Sequence, residues 1–316
     1  MARSLLHGPD SSEKNGSFEY LGNDKSEDTF ANIVSVTYSA FDLFEPLPDR
    51  RGETSSIRYS YVGLRSTSRN VPTGKLKNPE ILSLDFSNSL EKCVTSSKAE
   101  RWRRAVKTLE SDPIFGAENV SALIDGFGDE EEPRPDLEAA LRKLADDATE
   151  LYLRLGTGHK VVLLTITRLV ETVEESTLIL FDEPESHLHP PLLSAFVRAL
   201  SDLLIDRNGV AVLATHSPVV LQEVPARCAW KLQRYGDLLK ADRPETETFG
   251  ENLGTLTREV FDLEVRHSGF HKMLEEAVAK AGDYDTVLNR FSKQLGAEAR
   301  ALVRALLATR RADDGE

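Results

Sequence analysis

Cysteine is nearly absent from this chain: two in 316 residues, Cys93 and Cys228, far apart. They match no zinc-ligand spacing and no disulfide framework, which suits a reducing cytoplasm. Long apolar runs are missing too. No stretch approaches the roughly 18 residues that a membrane span requires, and the opening "MARSLLHGPDSSEKNG" has too short an apolar segment for a signal peptide. Basic charge is in deficit, with 39 Lys and Arg against 52 Asp and Glu for a net charge of −13, which excludes a broad nucleic-acid surface but not local basic patches. Glutamine is scarce: none precedes Gln222. The phosphate-cradling pattern G-x-x-x-x-G-K-[ST] does not occur. Its nearest approach is Gly74-Lys75, where Leu76 replaces the hydroxyl residue and Arg69 replaces the first glycine. At 40% hydrophobic residues the chain can bury one large or two modest cores, and the reading is of a soluble intracellular protein.

Residues 1 to 30 are polar and rich in Ser, Gly, Asp and Glu, as loop or disordered chain is. "NIVSVTYSAF" (32–41) and "IRYSYVGLR" (57–65) alternate apolar and polar residues and are predicted strands. From about 80 to 150 the pattern is helical, with "ILSLDFSNSLEKCV", "KAERWRRAVKTLE" and "LEAALRKLADDATELYL" as helices. The acidic stretch "GFGDEEEPRPD" (126–136) breaks them as a solvated loop. "HKVVLLTITRLVETV" (159–173), apolar nearly all round, is a predicted buried helix, and "TLILF" (177–181) a central parallel strand. "PPLLSAFVRALSDLLIDRNG" (190–209) is an amphipathic helix with prolines at its start and Asn-Gly at its end. "VAVLAT" (210–215) is expected as the next buried strand and "CAWKLQR" (228–234) as another. The alternation argues for an α/β domain with a mostly parallel sheet, followed by a helical tail containing "HKMLEEAVAKA" and "EARALVRALLATRR".

Asp182 and Glu183 follow the apolar strand directly. Ligands of open parallel sheets bind beyond the carboxyl ends of the strands, and alternation sends the two acids in different directions. One can serve Mg²⁺ and the other can orient or deprotonate an attacking water. "VLAT" leads straight into His216, which a neighbouring parallel strand would bring close enough to reach a phosphate or its water. Gly156, Thr157 and Gly158 stand where the buried helix begins, and a helix start with small residues offers its N–H groups to an anion. His187 and His189 beside the two acids also invite a transition-metal or metal-dependent hydrolase reading, which is disfavoured.

"LGTGHK", "LILFDEP", "ESHLHP" and "ATHSP" occur in order over residues 155 to 218. Together they resemble the C-terminal half of an ABC-type ATPase head, nearest to bacterial AAA-type ATPases grouped with SMC, RecF and OLD-like proteins. The resemblance implies a P-loop NTPase-like fold and a homodimer that sandwiches ATP and Mg²⁺ between two heads. It makes "LILFDE" the Walker B motif, with Asp182 serving Mg²⁺ and Glu183 as catalytic base. "ESHLHP" falls at the D-loop, so Ser186, His187 and His189 face the nucleotide and the partner head. His216 becomes the switch histidine, and "LGTGH" the signature loop that contacts the partner head's γ-phosphate.

The departures from that pattern are specific. Gly156 stands where a serine is usual, leaving Thr157 as the hydroxyl. No glutamine occupies the Mg²⁺-sensing position, for which Ser39 or Asp42 are weak substitutes. The Walker A loop is missing, so the chain reads as a member truncated at its N-terminus or one that has lost its own nucleotide grip. The expected division is 1–79 as the N-terminal part of the head, 80–150 as a helical insertion, 151–240 as the ATPase core and 241–316 as a helical region. "RWRRAVK" (101–107) is a possible phosphate-contacting patch, though a solvated helix face is favoured. "NLGTLTREVFDLEVRHSGFHKML" is similar to the tail of ATPases that accompany an HNH nuclease in Septu-type phage defence, which implies a nuclease partner and DNA-linked work. No TOPRIM-like acidic constellation follows His216, against an OLD-type nuclease. The rival to an ATPase is a non-catalytic interaction protein.

Overall fold

The computed structural model describes residues 30–38, 46–47, 57–67, 75–127, 136–266 and 269–313. Ser39, Asp42, Arg69, Gly74 and most of the acidic stretch at 126–136 lie outside them. The chain forms two compact units, Met1–Glu223 and Val224–Glu316.

Four parallel strands build the sheet of the first unit: β1 (Asn32–Thr37), β2 (Arg58–Gly63), β3 (Thr177–Asp182) and β4 (Val210–Ala214), in the order β2-β1-β3-β4. The register sets Thr37 beside Asp182 and Asp182 beside Ala214, so three strands end level at one edge. Helices α1 (Pro79–Val94), α2 (Ala99–Leu109), α3 (Pro113–Glu118), α4 (Leu137–Arg154) and α5 (Thr157–Thr172) lie between β2 and β3 in sequence. α6 (Pro190–Asp206) crosses from β3 to β4, as adjacent parallel strands require. α7 (Pro218–Gln222) follows β4.

Period-two alternation gives the sheet two faces. Val34, Val36, Val62, Ile179 and Phe181 enter the main core with Phe86, Trp102, Leu163 and Phe196 from the helices. Ile33, Tyr59, Tyr61 and Leu178 form a cluster on the other face. Trp102 is fully buried, and its indole N–H donates to Thr167 Oγ1 at 2.8 Å, tying α2 to α5. Four helices begin with a capping side chain followed by proline. Asn78, Asp112, His189 and Ser217 accept backbone N–H groups of α1, α3, α6 and α7, and the proline that follows each has no N–H to leave unsatisfied.

Two strand expectations need correction. β4 is an edge strand with Val210 and Val212 left 48% and 43% exposed on the side away from Ala211 and Leu213, so it is not buried. A short apolar run has the same composition whether one or both of its faces are covered. "CAWKLQR" does not extend the parallel sheet. Its second half is β5 (Lys231–Tyr235), paired antiparallel with β6 (Leu238–Asp242) in a separate hairpin of the second unit. That unit continues with α8 (Leu253–Arg266), α9 (Gly269–Lys280), α10 (Tyr284–Arg290) and α11 (Ala297–Asp313). Leu274, Val278, Val287, Val303 and Leu307 form its small core.

Candidate functional site

The site is built from the two loops that leave β3 and β4. Glu183 turns away from the sheet with φ +46, and His187 with φ +71, both in the left-handed region that costs a non-glycine residue about 1–3 kcal/mol. Backbone bonds hold that turn: Glu183 N–H donates to Ala214 O at 2.8 Å, Ser186 N–H to Glu183 O at 3.0 Å and Leu188 N–H to Glu185 O at 3.0 Å. The result is a turn locked to β4, with the side chains of Asp182 and Glu183 exposed beyond the strand end. Exposure is what an acid that meets a bound ion or water needs.

His216 meets this turn from β4. Its Nδ1 lies 3.0 Å from Glu185 Oε1 and 3.7 Å from Glu183 Oε1. Glu185 was not singled out by the sequence, yet it organises the site. Its carboxylate accepts from the Thr215 hydroxyl at 2.8 Å and from His216 N–H at 2.8 Å, and its side chain is only 11% exposed. The Nδ1 contact with Glu185 is a close approach, whereas the backbone N–H of His216 is hydrogen-bonded to the same carboxylate, so Glu185 fixes where the imidazole stands. The signal available was position: an acid two residues beyond Glu183 in the turn locked to the strand that carries His216. If this edge catalyses a reaction, Glu185→Ala is expected to lower its turnover about 10- to 100-fold, the scale on which partners that orient a functional histidine act. Adding His216→Ala should cost little more, because both remove one oriented imidazole. Steady-state kinetics of the two single variants and the double variant measure this.

The predicted signature loop sits against the same turn. Gly156 is the N-cap of α5 with no side-chain cap, and Gly156 and Thr157 are exposed. The first N–H groups of a 16-residue helix therefore point outward without a capping side chain, as an anion site requires. Gly158 is pressed on the turn: a Cβ there would stand 2.5 Å from His187 O and 3.4 Å from Leu188 Cδ2. Gly158→Ala is expected to destabilise by about 1–3 kcal/mol, although alanine is the better helix former, because the clash is with backbone. Thermal unfolding reads it as a fall in Tm.

The structure thus joins Asp182, Glu183, Ser186 and His216 at one strand edge, with Ser186 Oγ 3.5 Å from Glu183 Oε2. It brings Gly156, Thr157 and Gly158 to the turn through His187. His189 goes elsewhere. Its Nδ1 caps α6 by accepting Leu192 N–H at 3.4 Å, and its Nε2 lies toward Asp112. Among the described residues, His187 and His189 form no metal-sized group with Asp182 and Glu183. Burial pushes the Asp112 carboxyl upward, but the His159 hydrogen bond and two backbone N–H groups outweigh it and hold the group below the usual range.

Part of the chain is similar to known proteins. Residues 110–222 match the family model described as "AAA domain, putative AbiEii toxin, Type IV TA system". The chain is also 44% identical over 292 residues to Protein ea59 of Escherichia phage lambda, an alignment covering 91% of this chain and 54% of that protein. The chain therefore spans about half the length of that curated relative. No helix among the described residues is long and apolar enough to cross a membrane. Residues 110–222, which carry β3, β4 and the acids at the β3 end, are thus the part of the chain that is similar to an AAA-domain family.

Proposed function

We propose that this chain is the signature-to-switch half of an ABC-type ATPase head that closes as a homodimer around MgATP. The carrying observation is the convergence of Glu183, Glu185 and His216 at the paired ends of β3 and β4. In this reading Asp182 serves Mg²⁺, directly or through water, and Glu183 accepts a proton from the attacking water. His216 Nε2 reaches the γ-phosphate or that water, and Glu185 holds its ring. The N-terminus of α5, from Gly156 to Gly158, receives the γ-phosphate of the nucleotide held by the partner head. Ser186 and His187 form the dimer-facing turn. MgATP hydrolysis with Glu183→Gln is the test, with loss of turnover and retention of nucleotide binding as the expected result.

One observation favours a second reading. The 316 residues contain no G-x-x-x-x-G-K-[ST], which suits an interaction module that binds a partner such as a nuclease without hydrolysing ATP. A protein that dimerises or binds a partner with no nucleotide dependence supports that reading. The toxin named in the matching family's description and the phage origin of the relative are in keeping with work in phage defence.

A further inference from the structure

Three residues remote in sequence and outside the proposed hydrolytic centre converge behind the α5 N-terminus. Asp112 caps α3 with one oxygen only: Oδ1 accepts Ile114 N–H at 3.0 Å and Phe115 N–H at 3.3 Å, and also meets His159 Nε2 at 3.0 Å. The other oxygen, Oδ2, is buried and receives no hydrogen bond. His189 Nε2 stands 3.5 Å from it, a contact without hydrogen-bond geometry. The Asp112 side chain is 1% exposed and that of His159 7%. A buried anionic oxygen with no donor costs about 1–3 kcal/mol or more, which a helix cap alone does not offset, since Oδ1 already makes the cap.

The geometry of the three groups suits an ion. One ligand atom from each of Asp112, His159 and His189 lies within 4.8 Å of the others. The 3.5 Å between His189 Nε2 and Asp112 Oδ2 is near the edge of roughly 3.3 Å that tetrahedral bonds of about 2.0–2.1 Å produce, and His159 Nε2 stands 3.0 Å from the other oxygen of the same carboxylate. Phe115 packs edge-on against the His159 ring, centroids 5.0 Å apart, and the two imidazole centroids are 5.7 Å apart. The rings are held, and only the His189 side, 47% exposed, opens to solvent.

We propose that Asp112 Oδ2, His159 and His189 bind a divalent transition ion of the Zn²⁺ class, with water in the fourth position. Two nitrogen donors favour such an ion over Mg²⁺ or Ca²⁺, which take oxygen. With Leu192 N–H on His189 Nδ1, that ring's proton sits on Nε2. An ion on Nε2 moves the proton to Nδ1 and replaces the 3.4 Å cap. His159 likewise moves its proton from Nε2 to Nδ1. The ion then ties together the start of α3, the start of α5 and the turn before α6. It would fix the α5 N-terminus against the "ESHLHP" turn, whatever nucleotide chemistry that pair serves.

Chelator-treated protein titrated with Zn²⁺, and separately with Co²⁺, tests this without any activity measurement. Expected are one equivalent bound per chain, a visible Co²⁺ d–d spectrum of four- or five-coordinate type, and a rise in Tm with Zn²⁺. Asp112→Asn keeps an acceptor for the α3 cap, and His189→Asn keeps a capping side chain for α6. Each should weaken binding at least 10-fold while the protein stays folded by circular dichroism. His187→Asn, in the same turn but outside the cluster, should still bind one equivalent. The proposal is overturned by no binding above a buffer blank, by binding that survives both Asp112→Asn and His189→Asn, or by binding lost with Cys228→Ser, the exposed thiol.

Discussion

Under the proposed function, Glu183→Gln is expected to lower ATP turnover by about 10²- to 10⁴-fold, the range spanned by a positioned general base. The size of the effect follows from chemistry rather than structure. Glutamine has the shape of glutamate, keeps a side-chain oxygen near Ser186 Oγ, and can occupy the φ +46 turn at no greater cost. It cannot accept a proton. Stability should therefore stay within about 0.5 kcal/mol of wild type, as for an exposed substitution. Nucleotide affinity should persist, because binding draws on other groups. Steady-state phosphate release, nucleotide titration and thermal unfolding on the same preparations separate the three quantities. A loss of turnover accompanied by a large fall in Tm would instead make Glu183 a structural residue of the turn.

Trp102→Ala costs about 3–5 kcal/mol, the range for truncating a fully buried aromatic. Trp102 is 0% exposed, and its indole N–H is the partner of the Thr167 hydroxyl in the middle of α5. The substitution leaves a cavity between α2 and α5 and deprives a buried hydroxyl of one partner. Trp102→Phe fills most of the space and should cost less, the remainder reporting the hydrogen bond. Urea unfolding followed by circular dichroism gives both values. Because α5 carries Gly156 to Gly158 at its first turn, the alanine variant is also expected to weaken any nucleotide-dependent association more than it weakens the β3–β4 edge. "RWRRAVK" fits this structural role: Trp102, Ala105 and Val106 are buried, and Arg101 pairs with Asp206 while Arg103 pairs with Glu100.

Much of the β3–β4 edge could be read in advance because its signals are local. A fully apolar strand with a pair of acids at its end and a second strand leading into His216 are consecutive strands joined by one helix, and parallel pairing needs no further information to bring their ends together. The helices at 79–109, 137–172 and 190–206 were legible from periodicity, the last also from its prolines at the start and Asn-Gly at the end. What escaped depended on long-range contact. Glu185 is one more acid in a polar turn until β4 delivers Thr215 and His216 to it. Asp112 announces at most a short helix after Pro113, and only the fold brings His159 to it from 47 residues away. The exposed face of β4 and the hairpin of β5 with β6 were misread for a related reason: five-residue strands carry no mark of which face, or which sheet, they will meet.

The central claim is that the ends of β3 and β4 carry out proton transfer at a bound nucleotide. Single-turnover hydrolysis of MgATP by the intact native protein, compared between wild type and Glu183→Gln, isolates that step from binding and product release. The prediction is a wild-type chemical step at least about 100-fold faster than the variant's, with both proteins saturating at similar nucleotide concentration. Equal rates in the two proteins, or a wild-type protein that neither binds nor cleaves MgATP, would contradict it.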